Sequence, residues 1–222
     1  MPVVDSAYQK KMDIFTRQVT VYPVSCEQLA DGRSDIQWLD AVLAGGSRIV
    51  QLRDKISDDR TVLEKAHVFR RRTQAAGALF IVNNRIDIAL LAKADGVHLG
   101  NSDIPVEEAR QIAPTMIIGV SANTREQAAT AEKRGASYYN IGPIFATETK
   151  KTVKAFIGPE AVTTYSAGSN LPFTVMGGIK LHHVSELVKL KACRIAVVTA
   201  LTKAPDIEKE TRTWIKAIRG CR

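Results

Sequence analysis

The alternation of short apolar segments with longer amphipathic ones, which begins at Val19, is the feature that most constrains how this chain folds. The apolar segments are rich in β-branched residues, which is typical of strands buried in a parallel sheet. The predicted strands cover residues 19–24, 49–53, 79–83, 96–99, 117–121, 138–141, 173–176 and 195–199. The alternation therefore predicts eight strands, each followed by a helix.

The amphipathic segments carry recognisable start and stop signals for helices. Asp58 lies where an N-cap is expected, Pro105 lies at the start of a later helix, and Asn123 or Thr124 can cap the next one. Gly77 lies just past a predicted helix end, where glycine is common. The predicted helices cover residues 36–44, 59–76, 86–92, 106–112, 124–134, 159–166, 182–190 and 206–218.

Eight strand–helix units in strict order predict parallel strands, because a parallel pair needs a crossover connection. Such units close into a (β/α)₈ barrel, the TIM barrel. An open doubly wound sheet is the alternative, but no G-x-G-x-x-G fingerprint follows the first strand, and no linker divides the chain. We predict one α/β domain, a (β/α)₈ barrel over residues 19–222. Residues 1–18 are predicted to be an N-terminal extension, with a helix covering the barrel bottom.

The chain is basic, since 31 Lys and Arg against 23 Asp and Glu give a formal net charge of +8. An excess of cations suits a site for anionic small molecules such as phosphates, and a generally basic surface is the alternative. The basic residues are scattered, and aromatic residues make up only 6% of the chain. We therefore predict phosphorylated small-molecule partners and no nucleic-acid partner.

The sequence predicts a cytoplasmic protein with no membrane partner. Charged side chains interrupt the first twenty residues, as they do not in a secretory signal, and no stretch approaches the roughly 18 apolar residues of a membrane span. Cys26, Cys193 and Cys221 are odd in number and far apart, which predicts reduced thiols rather than disulfides or a metal cluster.

Polar side chains collect where the second predicted strand ends. Gln51, Arg53 and Lys55 alternate with Val50 and Leu52, so the two sets lie on opposite faces of the strand. If the apolar set packs against the helices, the polar set points into the barrel mouth, where reactive groups of such barrels gather. An amide and two cations there suit an anionic ligand. A buried polar layer paired with acidic neighbours is the alternative.

Two further strand ends carry features that suit a phosphorylated ligand. Asp103 follows the fourth strand, where its carboxylate would hold Mg²⁺ together with phosphate oxygens, or would cap the helix after Pro105. Gly177 and Gly178 follow the seventh strand, and the loops after strands seven and eight commonly bind phosphate through backbone N–H groups. His98 lies inside an apolar strand and is predicted to be structural.

One connection is unusually long. Residues 142–158 join the sixth strand to the next helix and contain Thr147, Thr149 and Lys150. Long loops in compact domains are often lids over active sites, so we predict a lid, with a solvated surface loop as the alternative.

Taken together, the segments resemble the thiamine-phosphate synthase family, within the wider TenI-like superfamily. The resemblance is carried by QLRDK at 51–55, NNRIDIA at 83–89, ADGVHLG at 94–100, IGVS at 118–121, GPIFATETK at 142–150, GGI at 177–179 and VVTA at 197–200. It covers nearly the whole chain after Val19. The resemblance implies a transferase of thiamine biosynthesis, which joins 4-amino-2-methyl-5-hydroxymethylpyrimidine diphosphate to thiazole phosphate and releases pyrophosphate.

The resemblance also implies a role for each matching residue. The pyrimidine diphosphate would contact Gln51, Arg53, Lys55, Asn83, Ser121 and Lys150. The thiazole phosphate would contact Thr147, Thr149 and the backbone of Gly177, Gly178, Val198 and Thr199. Mg²⁺ would be held by Asp103 and Asn84. The family usually has Asp at position 84, so we predict weaker Mg²⁺ binding than two carboxylates give. A homo-oligomer is possible.

Two other functions on the same scaffold remain open. A thiazole tautomerase relies on a His where this chain has Asn123, and an amide does not exchange protons near neutral pH. A non-catalytic regulator that binds thiazole or thiamine phosphate is the other, and Asn84 is the residue that favours it.

Overall fold

A computed structural model of the chain describes residues 1–147 and 156–221. In chain order, its helices and strands are α1 (Ser6–Arg17), β1 (Val21–Pro23), α2 (Asp35–Ala44), β2 (Ile49–Leu52), α3 (Asp59–Ala75), β3 (Leu79–Asn83), α4 (Ile86–Leu91), β4 (Gly96–Leu99), α5 (Val106–Ile112), β5 (Ile117–Ala122), α6 (Arg125–Thr130), β6 (Tyr138–Ile141), α7 (Ala161–Ser166), β7 (Phe173–Val175), α8 (Val184–Lys189), β8 (Ile195–Val197), α9 (Thr199–Thr202) and α10 (Ile207–Gly220). Short 3₁₀ turns lie at Glu27–Leu29 and Leu181–His183.

The eight strands form one parallel sheet in the order β1-β8-β7-β6-β5-β4-β3-β2. The two ends of this sheet meet, because Val24 forms a parallel bridge with Gln51 and the Ser25 backbone N–H donates to the Gln51 carbonyl at 2.9 Å. The sheet is therefore a nearly closed (β/α)₈ barrel with a seam between β1 and β2, and the predicted TIM-barrel fold is confirmed.

The predicted bounds of β3, β4, β6 and α5 agree with the structure to the residue. The eighth strand is shorter than predicted: it ends at Val197, and Thr199 begins the four-residue helix α9. The turn occurs because the backbone of Val198, with φ −110° and ψ −85°, leaves the extended conformation.

Two apolar clusters lie on the two sides of the sheet. The larger one, between the strands and the surrounding helices, includes Val50 and Leu52. The smaller one fills the barrel interior and includes Ile49, Tyr22 and Tyr138. Successive residues of β2 therefore face opposite ways, as the alternation of its side chains predicts.

Helix α1 lies across the N-terminal end of the barrel, which we call the bottom. Tyr8 and Phe15 on this helix are buried in the interior cluster. The Tyr8 hydroxyl donates to Ser137 Oγ at 2.9 Å, and the ring of Phe15 lies 4.6 Å from that of Tyr138. The assignment of residues 1–18 as an extension apart from the barrel domain stays a prediction.

Beside α1, the guanidinium of Arg110 is buried at the bottom with only 5% of the residue exposed. It donates to the Met116 carbonyl at 2.7 Å, to the Gly135 carbonyl at 3.0 Å and to Ser137 Oγ at 3.0 Å. It donates further to the carbonyls of Ala113 and Pro114. Buried polar groups need such partners, so Arg110 fastens the segments that enter β5 and β6.

No helix among residues 1–147 and 156–221 is long and apolar enough to cross a membrane. Cys26, Cys193 and Cys221 are free thiols, as the sequence predicts.

Candidate active site

The carboxyl ends of the strands form the opposite end of the barrel, which we call the mouth. Gln51 on β2 is only 5% exposed and lies just beneath the mouth. Its amide nitrogen donates to the Tyr22 hydroxyl at 2.9 Å, and its carbonyl oxygen accepts from Asn83 Nδ2 at 3.0 Å. Gln51 therefore belongs to a buried polar layer whose members here are neutral rather than acidic.

This layer continues across the barrel as a chain of hydrogen bonds. The hydroxyls of Tyr22 and Tyr138 are 3.0 Å apart, and that of Tyr138 is 3.0 Å from His98 Nδ1. His98 Nε2 lies 3.2 Å from Ser121 Oγ. We call this series of hydrogen-bonded side chains the floor of the mouth; its members are Asn83, Gln51, Tyr22, Tyr138, His98 and Ser121.

Burial keeps the phenols of the floor neutral. It raises the pKa of Tyr22 and of Tyr138 well above the ordinary value for tyrosine, since a phenolate would lose its hydration inside the barrel. The two phenols therefore act only as neutral donors and acceptors. A floor of this kind suits a polar, uncharged ring that presents both donors and acceptors.

Cationic side chains stand above the floor on the loop that follows β2. Arg53 is half-buried, and its backbone N–H donates to Ser25 Oγ at 3.0 Å. Among the described residues, the one hydrogen-bond acceptor near its guanidinium is the Cys26 sulfur at 3.6 Å, a weak partner. Lys55 is exposed, and its ammonium donates to the side-chain oxygen of Asn84 at 2.8 Å.

Asn84 and Asp103 lie in direct contact through an Asn84 Nδ2–Asp103 Oδ2 hydrogen bond. The Gly100 N–H donates to the same Asp103 oxygen at 2.6 Å. Pro105, not Asp103, occupies the N-cap position of α5, so the capping alternative for Asp103 is wrong. Within the described ranges, no group donates to the second carboxylate oxygen of Asp103. That oxygen is available to a hard cation such as Mg²⁺.

Gly177 and Gly178 follow β7 with φ of +100° and +62°, a region that L residues with side chains rarely adopt. A Cβ at Gly177 would lie 2.4 Å from Pro143 Cβ, and one at Gly178 would lie 2.2 Å from the Ala146 carbonyl oxygen. The close approach is fixed by the Phe145 N–H, which donates to the Gly177 carbonyl at 2.9 Å. Only glycine fits both positions.

The backbone N–H groups of Gly177 and Gly178 have no acceptor within the part of the chain that the structure describes. Val198 and Thr199, which follow the neighbouring strand β8, are half-buried beside them. Unpaired N–H groups on a turn with positive φ form a concave site for anions. This side of the mouth therefore suits a phosphate group.

The long connection after β6 begins and returns at this same edge. The Ile157 N–H donates to the Pro143 carbonyl at 2.9 Å, and the Gly158 N–H donates to the Ile144 carbonyl at 3.1 Å. Thr147 is half-buried beside the glycine turn, while Thr149 and Lys150 lie outside the described residues. The predicted lid over 142–158 therefore stays a prediction.

A second group of carboxylates lies behind the Arg53 loop. Oxygens of Glu27, Asp35 and Asp54 all lie within 4.8 Å of one another, a spacing that a metal ion would accept. The ammonium of Lys65, however, lies 2.5 Å from Glu27 and 2.7 Å from Asp54. Since a cation of the protein already occupies this cluster, Asp103 is the better candidate for binding a metal.

Tyr22 and Tyr138 are the site residues that the sequence did not predict. Their hydroxyls meet although the residues are 116 positions apart. His98 was predicted to be structural, and both of its ring nitrogens do have protein partners. Its position beside Ser121 nevertheless places it in the floor. For Tyr22, Tyr138 and His98 alike, the available signal in the sequence was a polar side chain on the inward face of an otherwise apolar strand.

Comparisons with known proteins agree on one family. Residues 21–201 match the family described as thiamine monophosphate synthase. A thiamine-phosphate synthase of Pelotomaculum thermopropionicum is 38% identical over 88% of this chain and 90% of its own length. One from Clostridioides difficile is 40% identical over 87% of this chain and 92% of its own.

A solved structure gives the same result. A thiamine phosphate pyrophosphorylase from Pyrococcus furiosus superposes with a TM-score of 0.85 at 32% identity, over 91% of this chain and 96% of that one. A 3-hexulose-6-phosphate synthase, at 16% identity and a TM-score of 0.63, shares the fold alone.

Proposed function

Because the chain belongs to the thiamine monophosphate synthase family, we propose that its barrel mouth joins a pyrimidine diphosphate to a thiazole phosphate and releases pyrophosphate. Membership of this family makes the chain a transferase. One observation carries the assignment of the mouth as the site. The Arg53 guanidinium lies on one side, and on the other lie the N–H groups of Gly177 and Gly178, which have no acceptor among the described residues; together they give two places for anionic groups above one neutral floor.

The floor would bind the aminopyrimidine ring, with Gln51, Asn83 and Ser121 as the groups nearest the mouth. Amide and hydroxyl groups offer donors and acceptors to the ring nitrogens and the amino group without adding charge. Arg53 and Lys55 would hold the diphosphate, with Lys150 from the long connection beside them. The planar guanidinium of Arg53 suits two phosphate oxygens at once.

The second substrate would dock on the glycine side of the mouth. The thiazole phosphate would accept hydrogen bonds from backbone N–H groups at Gly177, Gly178, Val198 and Thr199, with Thr147 and Thr149 beside it. Backbone donors are already in place before the ligand arrives, so they select a phosphate at little entropic cost. Both rings would then lie in one pocket, and their orientation would lower the barrier.

In the reaction, the bond between the pyrimidine methylene carbon and the diphosphate oxygen breaks, and its electron pair leaves with pyrophosphate. The thiazole nitrogen then donates its lone pair to the methylene carbon and forms the new C–N bond. Arg53 and Lys55 would stabilise the negative charge that grows on the leaving group. Exclusion of water from the mouth would protect the cationic pyrimidine from hydrolysis.

The residues at Asp103 fit a divalent cation. Asp103 offers a carboxylate oxygen without a donor among the described residues, and Asn84 offers an amide oxygen shared with Lys55. Mg²⁺ usually takes one or two protein carboxylates and completes its shell with phosphate oxygens and water. Bound there, Mg²⁺ would neutralise part of the charge of the diphosphate.

The tautomerase alternative finds no support at Asn123. Its amide donates to the Gly142 carbonyl at 2.5 Å and accepts from Asn101 Nδ2 at 2.7 Å. With its amide nitrogen and oxygen both engaged, Asn123 connects the loops that follow β4 and β6, and an amide transfers no proton.

The decisive assay supplies both phosphorylated substrates with Mg²⁺ and follows the release of pyrophosphate and the formation of thiamine phosphate. Coupled formation of both products is expected. Rearranged thiazole phosphate alone would establish the tautomerase, and binding of either phosphate without turnover would establish the regulator. We also propose that the enzyme is located in the cytoplasm. Its assembly into a homo-oligomer stays a prediction.

A further inference from the structure

Lys65 lies on α3, outside the mouth, yet its ammonium contacts three carboxylates from three segments. It lies 2.5 Å from Glu27 after β1, 3.2 Å from Asp35 on α2 and 2.7 Å from Asp54 after β2. The side chains of Asp35 and Asp54 are 1% and 2% exposed, and that of Lys65 is 18% exposed. The side chain of Glu27 is 38% exposed, so the cluster is an ionic junction with two buried carboxylates and one at its edge, rather than a surface ion pair.

Asp54 links this junction to the loop that carries Arg53 and Lys55. Its Oδ1 accepts from the backbone N–H groups of Ile56 and Ser57, both at 3.0 Å, and its Oδ2 accepts from Ser57 Oγ at 2.7 Å. The same Oδ2 receives the Lys65 ammonium. One carboxylate thus fixes the turn that contains Lys55 and follows Arg53 directly.

We infer that Lys65 is a positioning residue for the diphosphate site, acting through Asp54 on the loop that carries Arg53 and Lys55. The inference rests on the proposed function, because it assumes that these two cations bind the diphosphate. The backbone of Arg53 is already fixed from the β1 side by Ser25 Oγ. Lys65 supplies the constraint from the helix side, so the two cations are held in place before the ligand binds.

The charges of the junction explain why one lysine holds it together. Burial opposes the ionisation of Asp54, but the hydrogen bonds from Lys65 and Ser57 outweigh it and hold the pKa of Asp54 well below its usual range. Burial raises the pKa of Asp35 to about 6, although Lys65 acts in the opposite direction. Removal of the ammonium would leave Glu27 and Asp54 without their shared cation and would raise the pKa of Asp35 further, so the Asp54 turn would lose the ion pair that holds it to α3.

The test compares Lys65→Met with Lys65→Arg and with a matched control, Arg72→Met. Arg72 lies on the same helix and also joins α3 to α2, through an ion pair with Asp40 at 2.7 Å, but both side chains are about half exposed. Arg72 lies in the last turn of α3, whereas the loop precedes the first turn. Steady-state kinetics with each substrate varied in turn, and inhibition by inorganic pyrophosphate, are measured for all variants. Thermal unfolding is measured alongside.

For Lys65→Met we expect the KM for the pyrimidine diphosphate and the inhibition constant of pyrophosphate to rise about ten-fold or more, with the KM for thiazole phosphate changed less than two-fold. Lys65→Arg, which keeps the charge, should restore both constants to within about three-fold of the original chain. Arg72→Met should leave all constants unchanged. A purely structural role would instead lower the Tm and move both KM values alike or neither, which would overturn the inference.

Should Lys65→Met fail to fold, Asp54→Asn gives the same comparison. It keeps the size of the side chain and an oxygen for the Ile56 and Ser57 N–H groups, but it weakens the bond to Lys65. An unchanged KM for the pyrimidine diphosphate in a folded Asp54→Asn variant would overturn the inference. Lack of turnover by the unmodified chain would overturn the proposed function instead, so the two failures are distinguishable.

Discussion

Two arginines at opposite ends of the barrel use their guanidinium groups in opposite ways. Arg110 at the bottom donates five hydrogen bonds to four backbone carbonyls and the Ser137 hydroxyl, at distances from 2.7 to 3.1 Å. Arg53 at the mouth has the Cys26 sulfur, at 3.6 Å, as its one side-chain hydrogen-bond partner within residues 1–147 and 156–221. The guanidinium of Arg110 is therefore fully engaged inside the protein, whereas that of Arg53 keeps donors for a ligand.

This difference indicates that the bottom of the barrel contributes mainly to stability and the mouth mainly to ligand binding. Buried donors normally find partners inside the protein, so a half-buried guanidinium with so few of them indicates a partner from outside. Across the mouth, the N–H groups of Gly177 and Gly178 find no acceptor in the described part of the chain, which supports the same conclusion. The division agrees with the general behaviour of such barrels, in which the C-terminal face carries the chemistry and the N-terminal face the stability.

Replacement of Arg53 by Ala should have the largest effect. We expect kcat/KM to fall about 10³-fold, because the proposed function makes this guanidinium a donor to the charge that develops on the leaving group. The Tm should stay within about 2 °C of the original value, since the side chain contributes little to internal bonding. Steady-state kinetics and calorimetry on the same preparation provide the two measurements.

Arg53→Lys sharpens this result. A lysine keeps the charge but not the planar fork, so an intermediate loss of about 10- to 100-fold is expected if two phosphate oxygens are bound at once. Full activity in Arg53→Ala would mean that the mouth does not use this guanidinium, and the contrast between the two ends would fail.

Arg110→Ala should show the reverse pattern. Its removal leaves buried carbonyls without donors, so the free energy of unfolding should fall by about 3 kcal/mol, while kcat/KM of the folded fraction changes little. Chemical denaturation measures the first quantity and activity at low temperature the second. Arg134→Ala is the matched control, because the exposed Arg134–Glu107 pair beside it should be worth less than about 1 kcal/mol.

Gly178→Ala tests the other side of the mouth. The added Cβ meets the Ala146 carbonyl oxygen at 2.2 Å, so the turn must move, and the KM for thiazole phosphate should rise about ten-fold. Gly32→Ala serves as control, since Gly32 also has a positive φ, +85°, but nothing lies within 4 Å of its Cβ position. Equal effects of both substitutions on this KM would argue against a phosphate site at the turn.

The smallest effect is expected for Asn84→Asp. Asn84 has a φ of +66°, which Asp also tolerates, so the backbone should be retained. A second carboxylate beside Asp103 should lower the Mg²⁺ concentration for half-maximal activity by about three- to ten-fold. The comparison is a Mg²⁺ titration of both chains, with Asn101→Asp to account for a general gain of negative charge. An unchanged titration curve would remove Asn84 from the metal site.

The strands and most helices could be predicted because their signals are local. The run Leu79–Asn83 is apolar with turn residues on both sides, and its bounds agree with the structure. The residues of the mouth could be placed there because parallel strands bring their carboxyl ends together. Gln51 and Asp103 illustrate this, since each needs only the position of its own strand.

What the sequence could not give is contact between distant segments. The Tyr22–Tyr138 contact requires knowledge of which layer of the interior each ring occupies, and ring size alone does not set that layer. In the sequence, Lys65 is one of several charged residues on an amphipathic helix. Its contacts with Glu27 and Asp54 depend on the fold, and no local pattern predicts them. Helix α9 escaped prediction because four residues carry no periodic signal.

The seam between β1 and β2 is a place where the barrel can open locally. β1 joins β8 through three paired residues, whereas its backbone pairing with β2 among the described residues consists of the bridge of Val24 with Gln51 and the bond from the Ser25 amide. Of the two edges of β1, the one that faces β2 is thus the more sparsely paired, and its bridge lies at a residue of the floor. A ligand that binds Gln51 would stabilise the pairing across this seam. The Ser25 amide should therefore exchange its hydrogen more slowly when the mouth is occupied.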